Sequence, residues 1–399
     1  MTRPLDGITV LDLTRLLPGG YATLLMADLG ADVIKIEEPG KGDYIRWTPP
    51  IVGEFSAAHI ALNRNKRSVS LNLKKDGGRD AFLKLVAEGG ADVVIESFRP
   101  GVMDRLGVGY EALSAVNESI VYCAVSGYGQ DGPRSQEAGH DANYMAYAGA
   151  LSIMGEEGRR PVIPGLQIGD LAGGGMAAVI AIQAALLERV TTGRGSFCDI
   201  AMMDGVVSWL SIHAAEFVAT KKIPERELMH LSGAYPCYRV YPAADGWLAV
   251  GALEPQFWSA VCDALERPDL VDDAFAMGER RDQVIAELNA IFETKSRAEW
   301  MDALADRDVC VAPINDFAEA FDDPQLRHRS MLVDEEVPGA GPWQHIGNPI
   351  KVTAATATGE RDHLIHRPPP GLGEHTDEVL AAAGISPEEM EALRADGAI

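Results

Sequence analysis

Residues 8–37 read ITVLDLTRLLPGGYATLLMADLGADVIKIE. An apolar run over 8–13 is followed, past Pro18-Gly19-Gly20, by a helix-forming stretch over 21–29 and a second apolar run over 33–37. Strand, helix, strand in that order predicts a β-α-β unit, whose two strands lie parallel within a covered sheet. After Lys66 the cycle repeats, with a strand expected over 68–73, a helix over 77–88 and a buried strand over 92–96. Residues 120–125 give one more strand of this kind, so the fold class is α/β with a parallel sheet covered on both faces. Helices are expected to dominate from Tyr144 to about Ala219.

Near 221–226 the pattern breaks into a charged segment containing Pro224. Beyond it a strand pair is expected over 238–241 and 247–251, turning at Asp245-Gly246, together with helices over 255–265 and 281–292. This predicts a large domain over 1–220 and a smaller α+β domain over 221–320, a common domain size.

Composition narrows the function classes. The formal charge of −24 over 399 residues argues against nucleic acid or an anionic membrane as partner. Residues 1–110 hold 14 Lys and Arg against 14 Asp and Glu, so the remaining 289 residues carry all the excess acid. A polyanionic ligand is therefore expected on the N-terminal part. The longest apolar stretch, 171–187, falls short of a bilayer span and reads as a buried helix. No signal peptide is expected at the start, and the five scattered cysteines support neither a disulfide framework nor a zinc site. Both point to a cytoplasmic, reducing location.

The stretch VSGYGQDGPRSQEAGHDANY, 125–144, contains Gly127, Gly129 and Gly132 in a G-x-G-x-x-G pattern after a strand. A dinucleotide fingerprint needs these glycines to open a helix, and here Pro133 and a short polar run follow instead. NAD binding is excluded on that ground, and Glu37 at the end of the second strand reads as a solvated strand end rather than a ribose ligand. His140-Asp141 precedes a helical run over 142–153, where an N-cap is the plain reading. Asp170 precedes Gly173, Gly174, Gly175 and a helix over 176–189, with the same N-cap default. Three glycines at a helix start weaken that default, because they cost helix stability and let a ligand approach unpaired N–H groups. Glu254 stands in ALEPQFW between a strand end and a Pro-started helix.

Several segments together resemble the class III CoA-transferase and α-methylacyl-CoA racemase family: LDGITVLDLTRLLPGG, LNRNKRSVSLNLK, ESFRPGVMDRLGVGYE, SGYGQDGP, Asp170-x-x-Gly-Gly-Gly, TTGRGSFCDIAMMDG and PPPGLGEHT. The resemblance covers nearly the whole chain. It implies a Rossmann-like large domain, a smaller α+β domain, residues 321–399 returning to the large domain, and an interlocked homodimer. It also implies an acyl-CoA substrate, with coenzyme A as part of that substrate and no prosthetic group or metal. In the family's transferases an aspartate at the position of Asp170 attacks the thioester. The racemases add a histidine in a GHDxNY segment and a glutamate in a GAxEPQF segment, matched here by His140 and Glu254. The resemblance thus implies α-methylacyl-CoA racemase activity by 1,1-proton transfer, His140 serving one enantiomer and Asp170 the other. Glu254 would support His140, and Gly173 and Gly174 at the helix start would hold the enolate oxygen. The alternative is a CoA-transferase with Asp170 as nucleophile. For CoA itself the resemblance points to Arg46, Lys66 and Arg67 and to Ser97, Phe98, Arg99 and Arg105.

Overall fold

The β-α-β reading of residues 8–37 is realised in the computed structural model, which describes residues 3–352 and 365–399. The strands are β1 (Thr9–Asp12), β2 (Asp32–Glu37), β3 (Lys66–Ser70), β4 (Val93–Glu96), β5 (Val121–Ser126) and β6 (Phe197–Ala201). They lie in the order β3-β2-β1-β4-β5-β6, and every neighbouring pair is parallel. The chain works outward from β1 to β3, then crosses back to place β4 on the other side of β1. That reversal leaves a crevice outside the carboxyl ends of β1 and β4, the place where doubly wound sheets bind ligands.

The side-chain period of two sorts each strand between two cores. Val10, Val33, Val93 and Val121 face helices α1 (Pro18–Asp28) and α4 (Ala177–Thr192). Leu11, Ile34, Val94 and Tyr122 face α2 (Asp76–Ala87) on the other side. The C-terminal helices Thr376–Ala382 and Pro387–Asp396 join this second core through Val379, Leu380 and Met390. Each fully buried aliphatic side chain contributes about 1.5–3 kcal/mol.

Three local expectations are corrected. β6 falls inside the region expected to be helical. It is the edge strand, its burial alternates along its length, and Asp199 interrupts its apolar run. The helix expected over 142–153 is two pieces, α3 (Asp141–Tyr147) and a 3₁₀ turn Ala150–Ile153 beyond the left-handed Gly149. Helix α4 is buried on one face only. Ala178, Val179, Ile182 and Ala185 are inside, while Ile180, Leu187 and Val190 are 65%, 72% and 82% exposed. Together with the turn before it, the helical stretch Ile168–Thr192 is long and apolar enough to cross a membrane by length and composition.

The chain divides into two compact units. The larger holds residues 1–148, 164–209 and 327–399, and the smaller holds 149–163 and 210–326. The 220/221 break read from the sequence therefore falls inside the smaller unit, which also takes an earlier segment. Its three-stranded antiparallel sheet comprises β7 (Tyr238–Ala243), β8 (Gly246–Gly251) and β9 (Val311–Pro313). β7 and β8 turn through Ala244-Asp245, with Ala243 opposite Gly246. Trp258 and Trp300 anchor the core of this unit, each donating its indole N–H to a carbonyl, that of Leu270 (3.0 Å) and that of Phe292 (2.8 Å).

Candidate active site and nucleotide cleft

Asp170 does not cap the helix that follows it. It lies in the first turn of a π-helix, Ile168–Met176, which runs directly into α4. A π-helix bonds i to i+5 and is a rare, wide turn that recurs at functional sites. The expected helix start at the glycines is thus corrected: the helix begins five residues before Gly173. The glycines are there for packing. A Cβ on Gly173 would lie 2.7 Å from the Met202 carbonyl, and one on Gly174 would lie 2.8 Å from the Met202 side chain. Both therefore face α5 (Met202–Trp209), whose own Gly205 would place a Cβ 2.4 Å from the Cα of Gly173.

Asp141, read from the sequence only as a capping candidate, holds Asp170 in place. Its buried carboxylate accepts the Asp170 backbone N–H at 3.0 Å. Asp170 is half-buried, and its carboxyl is pushed up to about 6 by burial first and by the Asp141 carboxylate second, with His140 pulling the other way. Asp170 and His140 therefore lie within electrostatic reach of each other. His140 is the N-cap residue of α3, its backbone N–H donating to Asn143 Oδ1 at 3.0 Å, and its ring is exposed. The N-cap reading is met through the backbone and Asn143, and the ring remains exposed to solvent.

The glycine pattern of 127–132 now has a physical account. A Cβ on Gly127 would strike the Tyr144 ring at 2.4 Å, and one on Gly139 would lie 2.7 Å from both Tyr128 and Tyr144. Gly129 and Gly132 take positive φ, 91° and 82°. The loop carries the chain from β5 to His140, and Tyr144 ties its end by donating to the Gly139 carbonyl at 2.5 Å.

The basic residues expected to hold CoA divide in two. Lys66 is fully buried, 3.5 Å from Asp12, and donates to Thr23 Oγ1 (2.7 Å) and the Gly20 carbonyl (3.1 Å). Burial draws this ammonium down to about 8. Arg46 forms a two-pronged pair with Glu37 (2.7 and 2.6 Å) and donates to the Pro370 carbonyl, and Arg67 pairs with Asp32 and Glu378. The charges of all three are answered within the fold. Arg99 and Arg105 are exposed and form no ion pair among the described residues. Ser97 accepts the Arg15 backbone N–H (3.0 Å), and the Phe98 N–H donates to Glu96 (2.6 Å), whose buried carboxyl is pushed up to about 8 by desolvation.

Phe98 borders a cleft of about 450 Å³ in the crevice beyond β1, β2, β3 and β4. Sequence reasoning missed its other cationic and aromatic walls, Arg15, Lys41, Tyr44 and Lys74. The signal was present in DLTRLLPGG, where an Arg follows the first strand directly at the switch point. Glu254 belongs to the smaller unit, exposed, where it is the N-cap residue of α6 (Pro255–Ala264).

A large parallel sheet with a ligand crevice at its reversal, and a raised aspartate beside a histidine, suit many enzymes. The family model described as CoA-transferase family III decides among them, matching residues 5–376. The chain belongs to CoA-transferase family III. Its relatives act on CoA thioesters by two kinds of chemistry. It is 36% identical over 384 residues to the succinyl-CoA:glutarate CoA-transferase of Homo sapiens, covering 95% of this chain and 85% of that protein. It is 33% identical over 401 residues to the α-methylacyl-CoA racemase of Mus musculus, covering 98% and 96%. The crystal structure of a CAIB/BAIF family protein from Brucella suis matches with a TM-score of 0.82 at 32% identity, covering 96% of this chain and 100% of that one. The α/β class with its parallel sheet, and the family that the sequence motifs resemble, therefore hold for this chain.

Proposed function

We propose that this CoA-transferase family III member is an α-methylacyl-CoA racemase, inverting the 2-methyl centre of acyl-CoA thioesters through an enolate. The observation that carries the reading is the carboxyl of Asp170, raised to about 6 and within electrostatic reach of an exposed imidazole. Inversion needs two groups that each take a proton in one direction and return it in the other, with affinities close enough for both to work near neutral pH. A raised carboxyl and an exposed imidazole are two such acid-base groups. In this reading Asp170 and His140 exchange the α-proton on opposite faces of the carbon. The positive end of the Ile168–Met176 helix, rather than its glycines, favours the negative oxygen. Glu254 keeps the role that the resemblance gives it, support of the imidazole. The cleft beside Phe98 takes the nucleotide end, and the chemistry calls for no metal or redox cofactor.

The same proposal includes a homodimer and a reducing cytoplasm. Support for the dimer comes from apolar side chains left in solvent: Ile180, Leu187 and Val190 on α4, and Ile212 and Val218 on helix Ser211–Thr220, which has no buried residue. Light scattering on the purified protein tests this, and a monomer at micromolar concentration would refute it.

The second reading is a CoA-transferase, favoured by the 36% identity to a succinyl-CoA-dependent transferase. There Asp170 would attack the thioester carbonyl and expel the CoA thiolate. Incubating a 2-methylacyl-CoA with the enzyme in deuterium oxide separates the two. Racemisation loads deuterium at the α-carbon, and a product without deuterium sinks the racemase. Hydroxylamine trapping of an acyl group on Asp170 during turnover would establish the transferase.

A further inference from the structure

Six ionised side chains line the cleft beyond β1, β2, β3 and β4: Arg15, Lys41, Lys74, Glu37, Glu38 and Asp43. Each carboxylate has its own cation. Glu37 is held by Arg46, Asp43 by Lys35 at 3.0 Å, and Glu38 by Lys74 at 3.2 Å. Arg15 and Lys41 are left over, with no ion pair among the described residues, so the cleft has two unspent positive charges.

Arg15 is also the better placed of the two. Its guanidinium carbon stands 5.3 Å from the Tyr44 ring centroid and 5.2 Å from that of Phe98, and it donates to the Tyr44 hydroxyl at 3.3 Å. The backbone that carries it is fixed from both sides. The Arg15 N–H donates to Ser97, and the next N–H, that of Leu16, reaches both oxygens of Asp43 at 3.2 Å. Leu16 itself holds φ at 59°, a left-handed conformation that is unfavourable for a leucine and persists only where surrounding bonds impose it. The fold accepts this strain to hold Arg15 between two rings.

We infer that Arg15 is the residue that grips the phosphate groups of the nucleotide end of the CoA thioester, a task read from the sequence for Arg46, Lys66 and Arg67. A guanidinium held beside rings, with one N–H spent on Tyr44, keeps its other donors free, and its fork fits two phosphate oxygens where an ammonium offers only a point charge. The inference rests on the CoA-thioester reading of the site and adds a residue to it.

Calorimetric titration of the full chain with adenosine 3′,5′-bisphosphate and with CoA tests it. Arg15→Ala should bind both about tenfold more weakly, and Arg15→Lys should fall between, since it keeps charge but loses the fork. Binding to Arg15→Ala should also weaken less steeply with added salt than binding to wild type, since one screened charge pair is gone. In turnover the loss should fall on KM more than on kcat. Unchanged bisphosphate affinity in Arg15→Ala overturns the inference, as does a loss confined to kcat, which would assign Arg15 to the acyl end. If the wild-type chain binds neither probe, the CoA reading itself fails and this inference with it. Should Arg15→Ala not fold, Arg15→Lys decides alone: affinity equal to wild type overturns the inference, and a weaker complex with its salt dependence kept supports it.

Discussion

Asp12 and Asp170 are both carboxylates removed from water in the larger unit, and they end on opposite sides of the ordinary carboxylate range. Burial pushes each one up. At Asp12 the ammoniums of Lys35 and Lys66 and the hydroxyls of Thr14 and Thr23 overcome that push and hold the acid below its usual value. At Asp170 the strongest neighbouring charge is that of a second acid, Asp141, and the carboxyl stays high. The same desolvation yields a permanent structural anion in one place and a proton carrier in the other. What differs is the sign of the neighbouring charge, which makes the second site a candidate for chemistry.

The comparison breaks most visibly at Lys66. Replacing it with methionine strands Asp12 as a partly compensated buried charge, and about 4 kcal/mol of folding stability should be lost, read by urea unfolding. Asp170→Asn should cut α-proton exchange by about a hundredfold or more, about 3 kcal/mol in barrier, with the fold intact by circular dichroism. The same variant tests the sign of the linkage. The folded Asp170 carboxyl lies above its ordinary 3.8, so its contribution to stability is whole below about pH 4 and lost as pH rises through about 6. Asparagine removes that loss. Thermal melts should therefore show Asp170→Asn gaining about 1–2 kcal/mol on wild type at pH 8 relative to pH 4, after allowance for solvent screening. The smallest effect is the sharpest. Asp141→Asn removes the like charge, so the acid limb of the pH–rate profile should move below 6 by less than about one unit, and no movement would acquit Asp141.

The sheet was legible because its central strands are apolar on both faces, a pattern that a buried parallel strand produces and little else does. β6 was not, since an edge strand with Asp199 in its middle reads as polar loop. His140, Asp170 and Phe98 were singled out by motif and position, and the structure gives them an exposed ring, a raised carboxyl and a place on the cleft wall. The use of Lys66 was not, because period two alone does not say which face of a strand is covered most deeply. A clue lay twenty-odd residues before its sheet neighbour Val33: Asp12, within the apolar run VLDL, demands a buried cation somewhere in the fold. Gly173 and Gly174 misled for a related reason. A glycine that admits a ligand and one that admits a neighbouring helix look the same in one dimension.

The wide turn from Ile168 to Met176 adds a constraint of another sort. An α-helix advances about 100° per residue, so a turn that takes up extra residues sets Asp170 at an angle that no side-chain substitution encodes. Deleting one residue between Gly175 and Ala177 would leave every chemical group in place and still swing Asp170 away from Asp141 by about 100°. The aspartate is therefore specified by spacing as much as by identity, and its activity should be more vulnerable to a single-codon deletion in this turn than to most substitutions around it.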